Sequence, residues 1–245
     1  MAESLPPPPP LDAAAALLLD FDGTLVELAE TPDSISVPES LPGLLESLGS
    51  RLGGRIALVS GRSIADLDRH AGRLAIAVSG SHGFELRLPG ASQPLREAPA
   101  GLAFARGEAV RFAAKTPGLL VEDKPAGIAL HYRQAPEAGS AMLDFMSELA
   151  ERTALRLQRG NMVAELLPMG VDKGEAVRRL MREPPIAGAR PVFVGDDLTD
   201  EHGFEAAASL GGGGILVGPE RPTAARWRLG GVVEVERWLR SAAEG

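Results

Sequence analysis

The amino-acid sequence predicts an α/β fold: a Rossmann-like parallel-sheet core interrupted by an inserted α+β domain. Three observations predict it. Up to residue 100, and again from residue 167, short apolar runs alternate with stretches of helical spacing, as in sheets covered by helices on both faces. Residues 101–166 differ, with strand-like runs paired across short Gly-containing turns. Clusters of acidic and small polar residues follow directly on the apolar runs, where open α/β sheets bind ligands.

Residues 1–10 include five consecutive prolines, Pro6 to Pro10. A proline run has no N–H to give a sheet, so this stretch reads as a disordered, extended tail outside the fold. The first part of the core, 11–100, opens with Ala14–Leu19, a continuous apolar run that fits a strand buried on both faces. Leu41–Leu52 has helical spacing, Ile56–Val59 is a second strand, Ser63–His70 a helix and Leu74–Val78 a third strand. In the insertion, 101–166, Ala105–Lys115 and Pro136–Arg152 have helical spacing. Val121–Lys124 and Ile128–Arg133 form a hairpin around Pro125-Ala126-Gly127, and Leu155–Gln158 and Met162–Leu167 another around Arg159-Gly160-Asn161. The second part of the core, 167–245, continues with helix Lys173–Arg182, strand Pro191–Val194, helix Asp200–Leu210, strand Ile215–Val217 and helix Glu234–Ala243.

Charge and composition narrow the function. The 245 residues carry 25 basic and 33 acidic side chains, a net charge of −8. Such a chain is a poor general binder of nucleic acid or anionic membrane, and an anionic substrate needs local cations to offset that charge. There is no Cys and only four His, so a divalent metal is expected on carboxylates, which suits Mg2+. No apolar run approaches the roughly 18 residues of a membrane span. Ala13–Leu19 is short and lacks a preceding basic region, so a signal peptide is not expected and a cytoplasmic location is.

Four motifs carry chemistry. Leu18-Leu19-Asp20-Phe21-Asp22-Gly23-Thr24 runs an apolar strand into two acids two residues apart. Two such carboxylates divide labour as nucleophile and general acid/base; alone, Asp-x-Asp also reads as an Asx turn. In Leu58-Val59-Ser60-Gly61-Arg62-Ser63 a hydroxyl meets a helix start, an anion site or a plain N-cap, with Ser60, Gly61 and Arg62 the candidate contacts. In Gly170-Val171-Asp172-Lys173-Gly174 stands one of only three lysines, the others being Lys115 and Lys124, among 22 arginines. A Lys at a helix start in so Arg-rich a chain suggests a compact ammonium for a phosphoryl group, or else a chance surface residue. Val194-Gly195-Asp196-Asp197-Leu198-Thr199-Asp200-Glu201 packs four acids into six residues, which calls for a neutralising cation or else marks an acidic helix N-terminus.

In this order, each at a strand end or helix start, the four motifs resemble the haloacid dehalogenase superfamily of phosphohydrolases, over roughly 11–89 and 168–245. The resemblance implies that Asp20 attacks phosphorus and forms an aspartyl-phosphate. Asp22 would protonate the leaving oxygen and then activate water. Ser60 and Lys173 would hold the phosphoryl oxygens. Mg2+ would sit on Asp20, Asp22 (through its carbonyl) and Asp196, with Asp197 and Asp200 in support. The insertion stands where that superfamily places a C2-type cap, which selects the leaving group.

Three further strings resemble trehalose-6-phosphate phosphatases: Ser79-Gly80-Ser81-His82-Gly83-Phe84-Glu85, Val121-Glu122-Asp123-Lys124 leading to His131-Tyr132-Arg133, and Ala164-Glu165-Leu166-Leu167-Pro168. By that resemblance His82, Glu122, Lys124 and Glu165 contact the sugar of a small sugar-phosphate substrate, and pairing with a trehalose-6-phosphate synthase is possible. Glu122 and Lys124, two apart on a strand, share a face. Without the resemblance they read as a cross-strand ion pair, and His82 as a loop cap. Sucrose-phosphate and phosphoglycosyl-glycerate phosphatases share the core and cap type and are the alternative.

Overall fold

The computed structural model describes residues 4–29, 34–92, 95–96, 101–124, 126–160, 162–170 and 172–244. Pro125 and Asn161 of the expected turns, Val171 of the third motif and residues 1–3 of the tail lie outside these. The chain divides into two compact units, Met1–Leu95 with Asp172–Gly245, and Arg96–Val171.

In chain order the elements are β1 (Ala15–Leu19), α1 (Leu41–Arg51), β2 (Ile56–Val59), α2 (Ile64–Ala71), β3 (Ala77–Gly80), β4 (Glu85–Arg87) and β5 (Leu95–Arg96). The second unit adds α3 (Leu102–Ala114), β6 (Leu120–Asp123), β7 (Ile128–His131), α4 (Gly139–Thr153), β8 (Leu155–Gly160) and β9 (Val163–Pro168). The chain then completes the first unit with α5 (Lys173–Leu180), β10 (Arg190–Gly195), α6 (Glu201–Ser209), β11 (Gly213–Val217), β12 (Trp227–Leu229) and α7 (Val232–Glu244).

The first unit holds one sheet ordered β12-β11-β10-β1-β2-β3-β4-β5. Strands β12 through β3 are parallel, and β4 turns back antiparallel on β3 with Gly80 opposite Glu85. β1 is central because all five of its residues are apolar and buried, the signature of a strand covered on both faces. Its alternation sorts the layers. Leu17 and Leu19 join a core with α1, α2 and α7; Ala16 and Leu18 join another with α5 and α6, where Phe193 meets Phe204 edge-on at 5.7 Å. The strand order reverses between β1 and β10, the place where such sheets bind ligands beyond their carboxyl ends.

The second unit is an antiparallel sheet, β6-β7-β9-β8. Ile128, Leu130, Ala164 and Leu166 pack with α3 and α4, where Phe112 and Phe145 stack at 4.1 Å. The expected helix from Pro136 starts as a 3-10 turn, Pro136–Ala138, before α4. The core sheet is an α/β sheet as expected, while β4, β5 and β12 go beyond the sequence reading. Among the described residues no helix is long and apolar enough to cross a membrane.

The tail is a correction. The described residues 4–10 lie against the first unit and not apart from it. The Arg228 N–H donates to the Pro6 carbonyl (3.0 Å) and Trp238 Nε1 to the Pro9 carbonyl (3.1 Å). Ser4 Oγ hydrogen-bonds Glu220, and Leu5 packs on the core beside α5 and α6. Proline lacks a donor but keeps its acceptor, and the carbonyls of the run make the contacts. Deleting residues 1–10 is therefore expected to lower Tm by about 3–6 °C, from lost hydrogen bonds and apolar contact. Thermal unfolding of full-length and trimmed chains checks this, and equal Tm values would refute it.

Candidate active site

Three of the four motifs follow a strand of the core sheet, β1, β2 or β10, with β1 and β10 flanking the strand-order reversal, and the Lys173 motif opens α5. β1 ends at Leu19, and Asp20 follows, 3% exposed, its N–H donating to the Val194 carbonyl of β10 (2.9 Å). α5 starts with Lys173, 4% exposed, behind an Asp172 N-cap that accepts from the Glu175 N–H (2.8 Å). Lys173 Nζ donates to Asp20 Oδ1 (2.7 Å) and to Asp200 Oδ1 (2.5 Å). Asp200, fully buried, takes two backbone N–H groups on its other oxygen, from Asp196 (3.0 Å) and Asp197 (2.9 Å). Gly23 is required by close approach. It has φ +75°, and a Cβ there would stand 2.1 Å from an Asp196 oxygen.

Three carboxylates thus face one ammonium. One oxygen each from Asp20, Asp196 and Asp200 lies within 4.8 Å of the others, an oxygen-only set that could hold a hard divalent cation. Burial pushes the Asp20 carboxyl up to about 8, with Asp200 adding and Lys173 opposing. Burial and Asp200 raise Asp196 to about 6, again against Lys173. Burial alone would lower the Lys173 ammonium, but Asp20 and Asp200 outweigh it and hold it charged above its usual range.

The other acids do different work. Asp22 Oδ1 and Oδ2 accept a two-pronged bond from Arg62 (2.8 and 2.7 Å), so its side chain stands with Arg62 and not in the carboxylate cluster. Arg62 also reaches Asp66 (2.6 Å). Asp197 is exposed and caps the turn Leu198–Asp200, accepting from the Leu198 N–H (2.6 Å). Ser60 is fully buried at the end of β2 and its Oγ accepts from the Arg62 N–H (3.1 Å). The N-cap of α2 is Ser63, which accepts from the Asp66 N–H (3.1 Å), so the plain-cap reading does not apply to Ser60. The His82 ring lies against Gly61, where a Cβ would sit 2.8 Å from it.

In the second unit the hairpin register sets Glu122 opposite Ala129, and Ala129 opposite Glu165 on β9. Two carboxylates then flank one small residue across three strands. Lys124 Nζ bridges them, 3.1 Å from Glu165 Oε2 and 3.8 Å from Glu122 Oε2. The ion pair anticipated as the plain structural alternative is therefore present. His131, not singled out from the sequence, hydrogen-bonds Glu122 through Nε2 (2.8 Å). The register explains why: Leu120 opposes His131, leaving it diagonal to Glu122.

Comparison with known proteins decides the family. The family described as trehalose-phosphatase matches residues 18–232. This chain belongs to the trehalose-phosphatase family. A trehalose-6-phosphate phosphatase of Escherichia coli (strain K12) is 39% identical over 243 residues, 98% of this chain and 90% of that protein. The C-terminal domain of a C. albicans trehalose-6-phosphate phosphatase superposes with TM-score 0.72 at 26% identity, covering 93% of this chain and 91% of that one. An Aspergillus fumigatus trehalose-6-phosphate phosphatase gives TM-score 0.71 at 25% identity, covering 96% and 98%.

For this trehalose-phosphatase family member, two supporting residues escaped the sequence reading. Arg221 donates to the carbonyls of Asp196 (3.2 Å) and Asp197 (2.8 Å) and so holds the acidic loop. Asp66 shares Arg62 with Asp22. Asp66 stands four residues beyond Arg62, an i,i+4 charge pair visible in the sequence, whereas nothing local announces Arg221.

Proposed function

We propose that this chain is a Mg2+-dependent phosphatase that hydrolyses trehalose 6-phosphate to trehalose and phosphate. The observation that carries it is the buried Asp20 carboxylate, held 2.7 Å from Lys173 beside Asp196 and Asp200, in a chain of this family. An Asp20 oxygen attacks phosphorus, and the ester oxygen leaves as the sugar hydroxyl with a proton from Asp22. Water, giving its proton to Asp22, then attacks phosphorus of the aspartyl-phosphate, releasing phosphate and restoring Asp20. Ser60 and Lys173 hold phosphoryl oxygens, with Gly61 and Arg62 beside them. Asp22 depends on Arg62 for its orientation.

Asp20, Asp196 and Asp200 would hold the Mg2+, with the Asp22 carbonyl a further donor in this reading and Asp197 supporting the loop. When bound, Mg2+ neutralises the carboxylate excess and the charge of the transferring phosphoryl group. His82, Glu122, Lys124 and Glu165 are assigned to the sugar hydroxyls. The same reading pairs the enzyme functionally with a synthase that makes trehalose 6-phosphate, in the cytoplasm. Phosphate release across a panel of sugar phosphates tests the proposal. Trehalose 6-phosphate is expected to give the highest kcat/KM, and a preference for sucrose 6-phosphate or a glycosyl-glycerate phosphate would overturn it.

Cation binding has a predicted pH dependence. Without metal, Asp20 and Asp196 hold protons to about 8 and 6. Raised carboxyl pKa values cost stability as pH rises from the unfolded value of about 4 through the folded ones, because the native state then binds more protons than the unfolded. A cation removes that cost by taking the protons' place. The gain in Tm on adding Mg2+ to chelator-treated protein is therefore expected to grow from pH 6 to pH 8. A gain that is flat or shrinks with pH would contradict this.

A further inference from the structure

We propose that Glu85 is a positioning residue for the reaction: its buried carboxylate ties the segment bearing Ser60 to the left-handed turn that presents His82. This deepens the proposed function and rests on it for the roles of those two residues. Glu85 is fully buried and opens β4, folded back beside Gly80 of β3. Glu85 Oε2 accepts from the Ile64 N–H (2.9 Å) and from Ser81 Oγ (3.1 Å). Ile64 begins α2, so its N–H has no partner within the helix, and the positive end of α2 faces the carboxylate.

What the tie restrains is a costly backbone. Ser81 and His82 are consecutive non-glycine residues at φ 49° and 56°. Left-handed conformation is unfavourable for both side chains and persists only where the surroundings impose it. Three bonds impose it here. The Ser81 N–H donates to the Arg62 carbonyl (2.7 Å), the His82 N–H to the Ser60 carbonyl (3.0 Å), and the Ser81 hydroxyl to Glu85. The result seats the His82 ring on Gly61, next to Ser60 and Arg62. A carboxylate is an expensive way to fill a core position unless its bonds are needed. Ser60 has its own anchor, its N–H donating to the Ser79 carbonyl (2.9 Å), so loosening Glu85 moves His82 far more than Ser60.

The test uses the full chain with Glu85→Gln, alone and combined with Ser81→Gly. Glycine accepts φ near +50° without strain, so it restores the turn with no help from residue 85. Glu85→Gln is expected to raise KM for trehalose 6-phosphate about tenfold while kcat for a small aryl phosphate changes less than about threefold. Adding Ser81→Gly is expected to return KM to within about threefold of wild type. A merely structural Glu85 predicts a lower Tm with no split between substrates and no rescue, and that result overturns the proposal. So does an unchanged KM. An independent readout is the ring C–H signal of His82, one of four histidines, in the NMR spectrum. It should shift in Glu85→Gln and return in the double variant. Should wild-type protein fail to hydrolyse trehalose 6-phosphate, the functional reading fails. The His82 signal then decides the tie alone, and a signal that does not move refutes it. If Glu85→Gln does not fold, Ser81→Ala removes only the hydroxyl bond, and an unmoved His82 signal and KM in that variant refute the tie equally.

Discussion

Asp20→Asn is expected to abolish phosphate release, by about 1,000-fold or more, in a protein that without metal melts no lower than wild type. The first half follows from chemistry. An amide of the same shape is a poor nucleophile and a weak ligand for a hard cation. The second half follows from electrostatics. Asp20, Asp196 and Asp200 crowd one ammonium, and burial pushes the Asp20 carboxyl up to about 8. A neutral amide takes up no proton on folding, so it removes a group the fold holds at a cost, while Lys173 keeps Asp200 at 2.5 Å. Phosphate release with Mg2+ checks the first half, and the Tm of the chelator-treated proteins checks the second. Activity within tenfold of wild type would sink the nucleophile assignment, and a fall of several degrees in Tm would sink the electrostatic account.

The second large effect concerns selectivity. Alanine at Glu122, Lys124 or Glu165 is expected to lower kcat/KM for trehalose 6-phosphate by roughly 10- to 1,000-fold, about 1.4 to 4 kcal/mol of lost charge-assisted bonding and positioning. A small aryl phosphate should be nearly unaffected, since it has no hydroxyls for these groups to grip. The three side chains already bond one another, Lys124 to Glu165 at 3.1 Å and near Glu122 at 3.8 Å. A purely structural ion pair would therefore show itself differently, lowering stability and touching both substrates alike. The ratio of the two kcat/KM values in each folded variant separates the accounts. A wild-type ratio in all three would mean that the sugar is held elsewhere.

The parts of the fold legible in the sequence are those with local causes. The run Ala15–Leu19 is buried throughout because every residue in it is apolar, and Ile56–Val59 likewise. The four motifs could be placed because each follows such a run or opens a helix. β12 was invisible: Trp227-Arg228-Leu229 is three residues long, and its strand character comes from β11 beside it. β4 is as short, and Glu85 acquires its partners only because β4 folds back on β3. At the site, the sequence placed acids at the right strand ends but could not say which would meet. Asp200 enters the buried cluster because two backbone N–H groups and Lys173 take it in, while neighbouring Asp197 turns outward to cap a turn. Asp22 turns to Arg62 for a reason that no spacing displays, the fork geometry of a guanidinium 40 residues away.

The tail on β12 bears on how copies of this protein meet in a crowded solution. The Leu229 carbonyl accepts from Gly218 on the β11 side, so the Arg228 N–H points the other way, out of the open margin of the sheet. Pro6 takes that N–H and, being proline, offers none in return. A ninth strand arriving there finds no amide template to copy. Exposed sheet margins are the usual seeds of aggregation, and many proteins guard them with charged side chains, lysine above all. β12 has no lysine, and its single charged side chain is Arg228. The Pro6 carbonyl closes the ladder there, so the same short segment that holds the fold also keeps one molecule from growing onto the next.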